Sequence, residues 1–175
     1  MTFAESLKGR IGEEIFVSGP FEVCQTDIDV FAAVTHDWDY MHNDPAWAAE
    51  ASPWGRSTIA HGYYLVSLLM HFHGLAGFPI VESGDERVIN YGIDRVRFTE
   101  AVRIGDRISA RIELRSMTGK GPGRELVGTR TAYYSERCGA DPHMVAGILL
   151  MCVAGSSPDG EDRSPGPPTE RKPGQ

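Results

Sequence analysis

The sequence predicts an α+β domain in which an antiparallel sheet covers one buried helix, and three observations lead there. From His61 to His73 the chain reads HGYYLVSLLMHFH, with Tyr64, Leu65, Leu68, Leu69 and Phe72 at the 3.6-residue period of a mostly buried helix. Four long β-like segments follow, Arg87 to Phe98, Arg107 to Met117, Glu125 to Ser135 and Met144 to Val153, separated by Gly, Asp or Pro turns. No helical pattern interrupts those strands, so the order is not the βαβ alternation of a parallel sheet. The helix must then bury its stripe against one face of an antiparallel one.

In chain order, Ile15 to Ser18 and Phe21 to Gln25 read as short extended segments around Gly19-Pro20. Thr26 and Asp29 resemble a capping box, with Asp in place of Glu, at the start of a helix carrying Ile28, Phe31, Ala32 and Val34 and ending near Thr35. Asn43-Asp44-Pro45 reads as a turn, Ala46 to Ala51 as a short helix, and Ser52 to Gly55 as loop. The buried helix then runs to His73, with Gly74 as its C-cap. In the third long strand, Val127, Thr129, Thr131 and Tyr133 alternate with Leu126, Gly128, Arg130 and Ala132. A sheet wrapping one long helix is the hot dog architecture.

The 175 residues suit a single domain over 1–154. From Gly155 to Gln175 (GSSPDGEDRSPGPPTERKPGQ) there is no large apolar residue, and a disordered tail is expected. Hydrophobic residues make up 41% of the chain, no apolar run is long enough to cross a bilayer, and MTFAESLKGRIGEE has no secretory signal pattern. A cytoplasmic location without membrane contact is the expectation. Cys24, Cys138 and Cys152 are odd in number and far apart, which suggests free thiols rather than disulfides or a zinc cluster. The net charge of −7, spread along the chain, argues against a nucleic-acid partner, although a few local basic groups can still hold a phosphate.

Chemistry concentrates first in THDWDYMHNDP, Thr35 to Pro45. Asp37 and His42 are five apart, about 140° around a continuous helix, and Pro45 with its neighbouring turn residues argues against a helix there. A loop that reverses direction can instead bring both groups to one water. Ordinary pKa values of about 4 and about 6.5 let one accept a proton while the other donates. On composition alone, a solvated surface loop stands ahead of that reading. The second stretch is GRSTIAHGYY, Gly55 to Tyr64. His61 and Gly62 open the buried helix, whose first N–H groups lack helical partners; a glycine there admits a ligand carbonyl close to the backbone. Taken alone, this is a plain helix start with a structural His61.

Together the two stretches resemble the MaoC-like dehydratases, the (R)-specific enoyl-CoA hydratase or hydratase 2 group. The family pattern is Asp, four residues, His, one residue, Asp, then Ile-Ala-His-Gly about 17 residues on. It stands here as Asp37, His42, Asp44 and Ile59-Ala60-His61-Gly62. INYGIDRVRFTEAVRIGD, Ile89 to Asp106, is similar to the subgroup related to nodulation protein N. The resemblance implies a hot dog homodimer with its active site near the subunit interface, Asp37 and His42 as the acid/base pair, and the Gly62 N–H as oxyanion donor. The implied reaction adds water across a trans-2-enoyl thioester, carried by CoA or by an acyl carrier protein, to give the (R)-3-hydroxyacyl product, or runs in reverse. It requires no metal or other cofactor. The commoner family form has Gly-Asp-x-Asn-Pro ahead of the His, whereas this chain has His36, Asp37, Trp38, Asp39 and Tyr40. The nodulation-related subgroup also lacks the Asn-Pro. An imidazole at 36 is placed to alter the pKa of Asp37 or to block access to it.

Remaining candidates are weaker. Asn90 and Tyr91 fit either a half-buried strand or a pocket wall, and Arg95 and Arg97 either a solvated face or contacts to CoA phosphates. Tyr63, with Trp38, Tyr40, Trp54 and Tyr64, is placed to shape an acyl tunnel or simply to pack. Ser67 reads as a hydrogen-bonding residue near the acyl chain rather than a nucleophile. His71 and His73 are two apart on a helix and point in different directions, so no metal site is expected. Gly119 to Gly123 reads as a hairpin turn, not a phosphate loop. Two alternatives stand beside the hydratase: a weakly active acyl-thioester binding subunit, and a hot dog thioesterase. The second is opposed by the absence of Asp or Glu from the His61 to His73 helix.

Overall fold

The computed structural model describes residues 2–79 and 86–155. From residue 156 on, the expected tail lies outside the described residues. A helix not expected from the sequence, α1 (Phe3–Leu7), opens the chain. Its start is a capping box: the Thr2 hydroxyl accepts from the Glu5 N–H, and the Glu5 carboxylate from the Thr2 N–H. Strands β1 (Glu14–Val17) and β2 (Phe21–Glu22) follow, the second stopping short of the predicted Gln25.

The chain then turns helical in α2 (Gln25–Thr35), α3 (Tyr40–Asn43) and α4 (Pro45–Ala51). Helix α2 begins two residues earlier than predicted. Its N-cap is Cys24 with no side-chain cap, so Thr26 and Asp29 form no capping box. Helix α3 is also a correction, because a single helical turn forms where a loop was expected. The Asp39 carboxylate starts it by accepting from the Met41 N–H at 3.1 Å, and Asp44 caps α4 the same way from Trp47 at 2.9 Å, with Pro45 at N1.

The predicted central helix is two helices, α5 (Gly62–Ser67) and α6 (Leu69–Leu75), joined at Leu68. Ser67 sits at the break and donates its hydroxyl to the Tyr64 carbonyl at 2.6 Å, competing for a helical acceptor. Gly74 lies inside α6, and Ala76 caps it. Tyr64, Leu65, Leu69 and Phe72 are buried, as their spacing required.

Four long strands complete the chain: β3 (Glu86–Phe98), β4 (Arg107–Gly119), β5 (Arg124–Tyr134) and β6 (Met144–Ala154). The sheet order is β1-β4-β5-β6-β3 with β2 also on β4, and every pairing is antiparallel. Gly119 to Gly123 is the β4–β5 hairpin connection, closed by the Lys120 N–H to the Arg124 carbonyl at 2.9 Å. One sheet face, carrying Ile112, Leu114, Val127, Tyr133, Ile148 and Leu150, covers α5 and α6. Each such side chain taken out of water contributes about 1.5–3 kcal/mol. His73 is fully buried there with both nitrogens satisfied. Nδ1–H donates to the Leu69 carbonyl at 2.7 Å and Nε2 pairs with the Thr129 hydroxyl at 2.9 Å, while His71 is exposed. Among the described residues no helix is long and apolar enough to cross a membrane.

Candidate active site

The site begins where α2 ends. His36 takes the left-handed conformation at φ 61°, ψ 24° and serves as the helix C-cap. Glycine is favoured at such a position because it has no Cβ to clash with the backbone, which accounts for the commoner family form having Gly there. His36 is exposed and lies apart from the cavity described below. The turn carries the chain through the exposed Asp37 and Trp38 into α3, which puts His42 on its last turn.

Gln25 holds that turn in place. Its amide donates to the His42 carbonyl and to Asp29 Oδ1, both at 2.8 Å, while its oxygen accepts from Thr58 Oγ1 at 2.6 Å. Asn43 donates to the same Asp29 oxygen at 2.8 Å. Asp29 thus anchors α3 rather than capping α2.

The His42 ring is half-buried, and Nδ1–H donates to the Ile59 carbonyl at 2.7 Å. In the neutral ring this leaves Nε2 as a free acceptor. Burial lowers the His42 pKa and the nearby His61 adds to that, while the Ile59 bond and the charges of Asp37 and Asp39 oppose it. A neutral imidazole is favoured at neutral pH.

His61, 1% exposed, joins the two sequence stretches. Its ring stacks on His42 with centroids 3.8 Å apart and planes 27° from parallel. Its Nε2–H donates to the Asp37 carbonyl at 2.9 Å. Nδ1 is buried with no partner among the described residues. The segment leading into α5 is fixed by the Ala60 N–H to the Val102 carbonyl at 2.8 Å and by the Ile59–Arg103 bridge.

A cavity of about 400 Å³ opens against these groups, lined among others by His42, Trp54, Gly62, Leu65, Phe98 and Glu100. Gly62 is the first residue of α5, so its N–H has no partner within the helix. A Cβ at Gly62 would fall 2.8 Å from the Phe98 ring, so a larger residue there requires that ring to move. Asp37 does not line this cavity; its backbone is tied to His61 and its charge acts on His42. Tyr63 (74% exposed), Ser67, Asn90 and Tyr91 are exposed and lie outside the cavity wall. Arg95 and Arg97 line a separate groove. Sequence reasoning missed Gln25, Phe98 and Glu100. The apolar Phe98 ending a β-like run was visible, but its contact with Gly62 joins positions 36 residues apart and leaves no local signal.

A family model described as a MaoC like domain matches residues 6–134. The chain belongs to the MaoC-like dehydratase family. This MaoC-like chain is 44% identical over 107 residues to nodulation protein N of Rhizobium leguminosarum bv. viciae, covering 60% of this chain and 63% of that protein. It therefore spans less than two thirds of that relative. It is 32% identical over 148 residues to 3-hydroxyacyl-thioester dehydratase Z of Mycobacterium tuberculosis (strain ATCC 25618 / H37Rv), covering 85% of this chain and 94% of that one. Among solved structures, the (R)-hydratase from A. caviae involved in PHA biosynthesis superposes with a TM-score of 0.62 at 23% identity, covering 82% of this chain and 96% of that one. That last likeness is one of fold. The antiparallel sheet over α5 and α6 is the hot dog fold of the MaoC-like family.

Proposed function

We propose that this MaoC-like chain is an (R)-specific enoyl-thioester hydratase/3-hydroxyacyl-thioester dehydratase. The observation that carries the reading is His61, which holds the Asp37 backbone and stacks on His42 at the mouth of a cavity that Gly62 also lines. The resemblance to 3-hydroxyacyl-thioester dehydratase Z over most of both chains supports it. In the proposed reaction, the Asp37–His42 pair takes one proton from a water whose oxygen attacks C3. One proton is delivered to C2, so H and OH add across the double bond. His42 is suited to accept because its Nδ1–H is committed to Ile59 and Nε2 stays free. The Gly62 N–H faces the oxygen on which enolate charge develops. These groups carry the proposed chemistry without a metal or redox cofactor.

A homodimer is part of the proposal. Strand β3 is a 13-residue sheet edge that leaves Ile89, Tyr91 and Ile93 exposed at 48%, 60% and 42%, and such an edge calls for a partner. The substrate-contacting roles proposed for Asn90, Tyr91, Tyr63 and Ser67 depend on that second copy, since they lie outside the cavity wall of a single chain. Arg95 and Arg97 are proposed to meet the anionic end of a CoA ester.

The reaction class is tested by incubating the protein with crotonyl-CoA and resolving the products on a chiral column. The reading expects (R)-3-hydroxybutyryl-CoA with no free thiol. Thiol release points to the thioesterase, and saturable binding without turnover to a binding subunit.

A further inference from the structure

The outer face of the sheet, turned away from α5 and α6, carries a groove of about 740 Å³. Strand register decides who shares it. Glu113 of β4, Arg130 of β5, Gly147 of β6 and Arg95 of β3 stand in one row, and Arg111, Ala132, Val145 and Arg97 in the next. Between those rows Ile112, Thr131, Ala146 and Val96 turn to the core, so both rows project outward. A bulge in β4 between Leu114 and Ser116 adds Arg115 to the rim. Four arginines thus line one groove of a chain whose net charge is −7.

Their charge is only partly answered. Asp94 lines the groove and Glu113 pairs with Arg115 at 2.6 Å, which leaves an excess of two positive charges. Arg97 donates to the Val96 carbonyl at 2.8 Å. Among the described residues the ion pairs involve Arg10, Arg115 and Arg137, so neither Arg95 nor Arg130 is engaged in one.

The floor adds a second, independent observation. Gly128 has a reason within the chain, because a Cβ there would fall 2.3 Å from the Ser116 hydroxyl. Gly147 has none: its Cβ would meet nothing closer than the Asp94 Cβ at 3.5 Å, an ordinary contact. A glycine inside a paired strand weakens it and often marks a place where a ligand approaches the backbone. Here it opens the floor between Arg95 and Arg130.

We propose that this groove binds the phosphates of an adenine nucleotide, with the base over Gly147 and the flanking Val145 and Leu149, and the phosphates on Arg95 and Arg130. Planar guanidinium groups match phosphate oxygens two at a time. The volume falls in the range of small-molecule sites, about 300–1,000 Å³. Two sources share this chemistry, a free nucleotide and the nucleotide end of a CoA thioester. The second rests on the hydratase reading.

Calorimetric titration of the full chain with adenosine 3′,5′-bisphosphate tests the proposal without any turnover, so it stands or falls apart from the hydratase reading. Saturable binding that weakens with salt is expected. Affinity should drop at least tenfold in Arg95→Gln/Arg130→Gln and in Gly147→Val, and stay unchanged in Arg10→Ala. Should Gly147→Val fail to fold, the arginine variant carries the test. No saturable binding at millimolar nucleotide overturns the proposal, as does equal binding by both groove variants. So does binding of an acidic acyl carrier protein, lost in those variants, where the nucleotide does not bind. The ratio of KM for crotonyl-CoA to KM for crotonyl-pantetheine separates the sources. It rises about tenfold in the arginine variant if the CoA nucleotide sits in the groove, and stays constant if the occupant is a free nucleotide.

Discussion

The rings of His61 and His42 stack 3.8 Å apart, and the same His61 side chain donates from Nε2 to the Asp37 carbonyl at 2.9 Å. One buried side chain therefore sets the position of both groups proposed to move protons. His61 was expected from the sequence to bind substrate at the helix start, with a purely structural histidine as the alternative; in the fold it lies outside the cavity wall and is the joint between the two motif stretches. Its role in the proposed reaction is positioning, since it acts through His42 and the Asp37 backbone.

Replacing that joint separates positioning from chemistry. His61→Phe keeps an aromatic ring against His42 but removes the N–H that holds Asp37. We expect kcat for crotonyl-CoA hydration to fall about 100-fold with little change in KM, the size that a misplacement of about 1 Å produces. Because His61 helps to lower the His42 pKa, its removal should also move the acid limb of the kcat profile to higher pH. An unchanged kcat and pH profile would remove His61 from the account.

The histidines also set a pH dependence of stability. His42, His73 and His143 all have folded pKa values lowered by burial. Well above pH 6.5 neither the folded nor the unfolded chain is protonated at these groups, and the stability tied to their neutral forms is intact. As pH falls below 6.5 toward the lowered folded values, the unfolded chain binds protons first and stability is lost. The limiting slope is about 1.4 kcal/mol per pH unit for each extra proton bound on unfolding. Urea unfolding from pH 8 to 5 should show a flat region and then a decline. His73→Gln should decline less steeply, and stability that rises as the medium is acidified would contradict this assignment.

His36 gives a prediction of opposite sign. A non-glycine residue in the left-handed conformation carries a backbone cost of about 1–2 kcal/mol, and the exposed ring lies away from the cavity. His36→Gly should therefore stabilise the protein by about 1 kcal/mol in denaturant unfolding, after allowing for the looser unfolded chain. A loss of stability would mean that the imidazole makes a contact that outweighs the backbone term.

Gly62 and Phe98 should be coupled. Gly62→Ala pushes a methyl group to 2.8 Å from the Phe98 ring, so stability should fall. In the Phe98→Ala background the same change should be milder, with a coupling energy of about 0.5–3 kcal/mol in a double-mutant cycle. Strict additivity would mean that the two residues do not touch in solution.

Much of the fold was legible because its signals are periodic and local. The starts of all four long strands fall within one residue of their predicted positions, and Tyr64, Leu65, Leu69 and Phe72 are buried as their spacing required. The break at Leu68 escaped because it depends on which carbonyl the Ser67 hydroxyl chooses. Helix α3 escaped because Asp39 capping a single turn looks, as sequence, like any polar loop. Asp37, His42 and Gly62 were legible only through the family spacing. Gln25 and Phe98 were not, since their partners are 17 and 36 positions away. The outer groove needed register: Arg95 and Arg130 are ordinary strand residues until Gly147 is seen to stand between them.

The central claim is that Asp37 and His42 act together on water at this cavity. Its most direct test is the loss of conjugated enoyl-thioester absorbance on crotonyl-CoA, followed for wild type, Asp37→Asn and His42→Ala, each shown to be folded. The wild type should hydrate the substrate, and each substitution should lower kcat by about 10²–10⁴-fold, the range of general acid–base catalysis. Hydration that survives both substitutions at the wild-type rate would contradict the account.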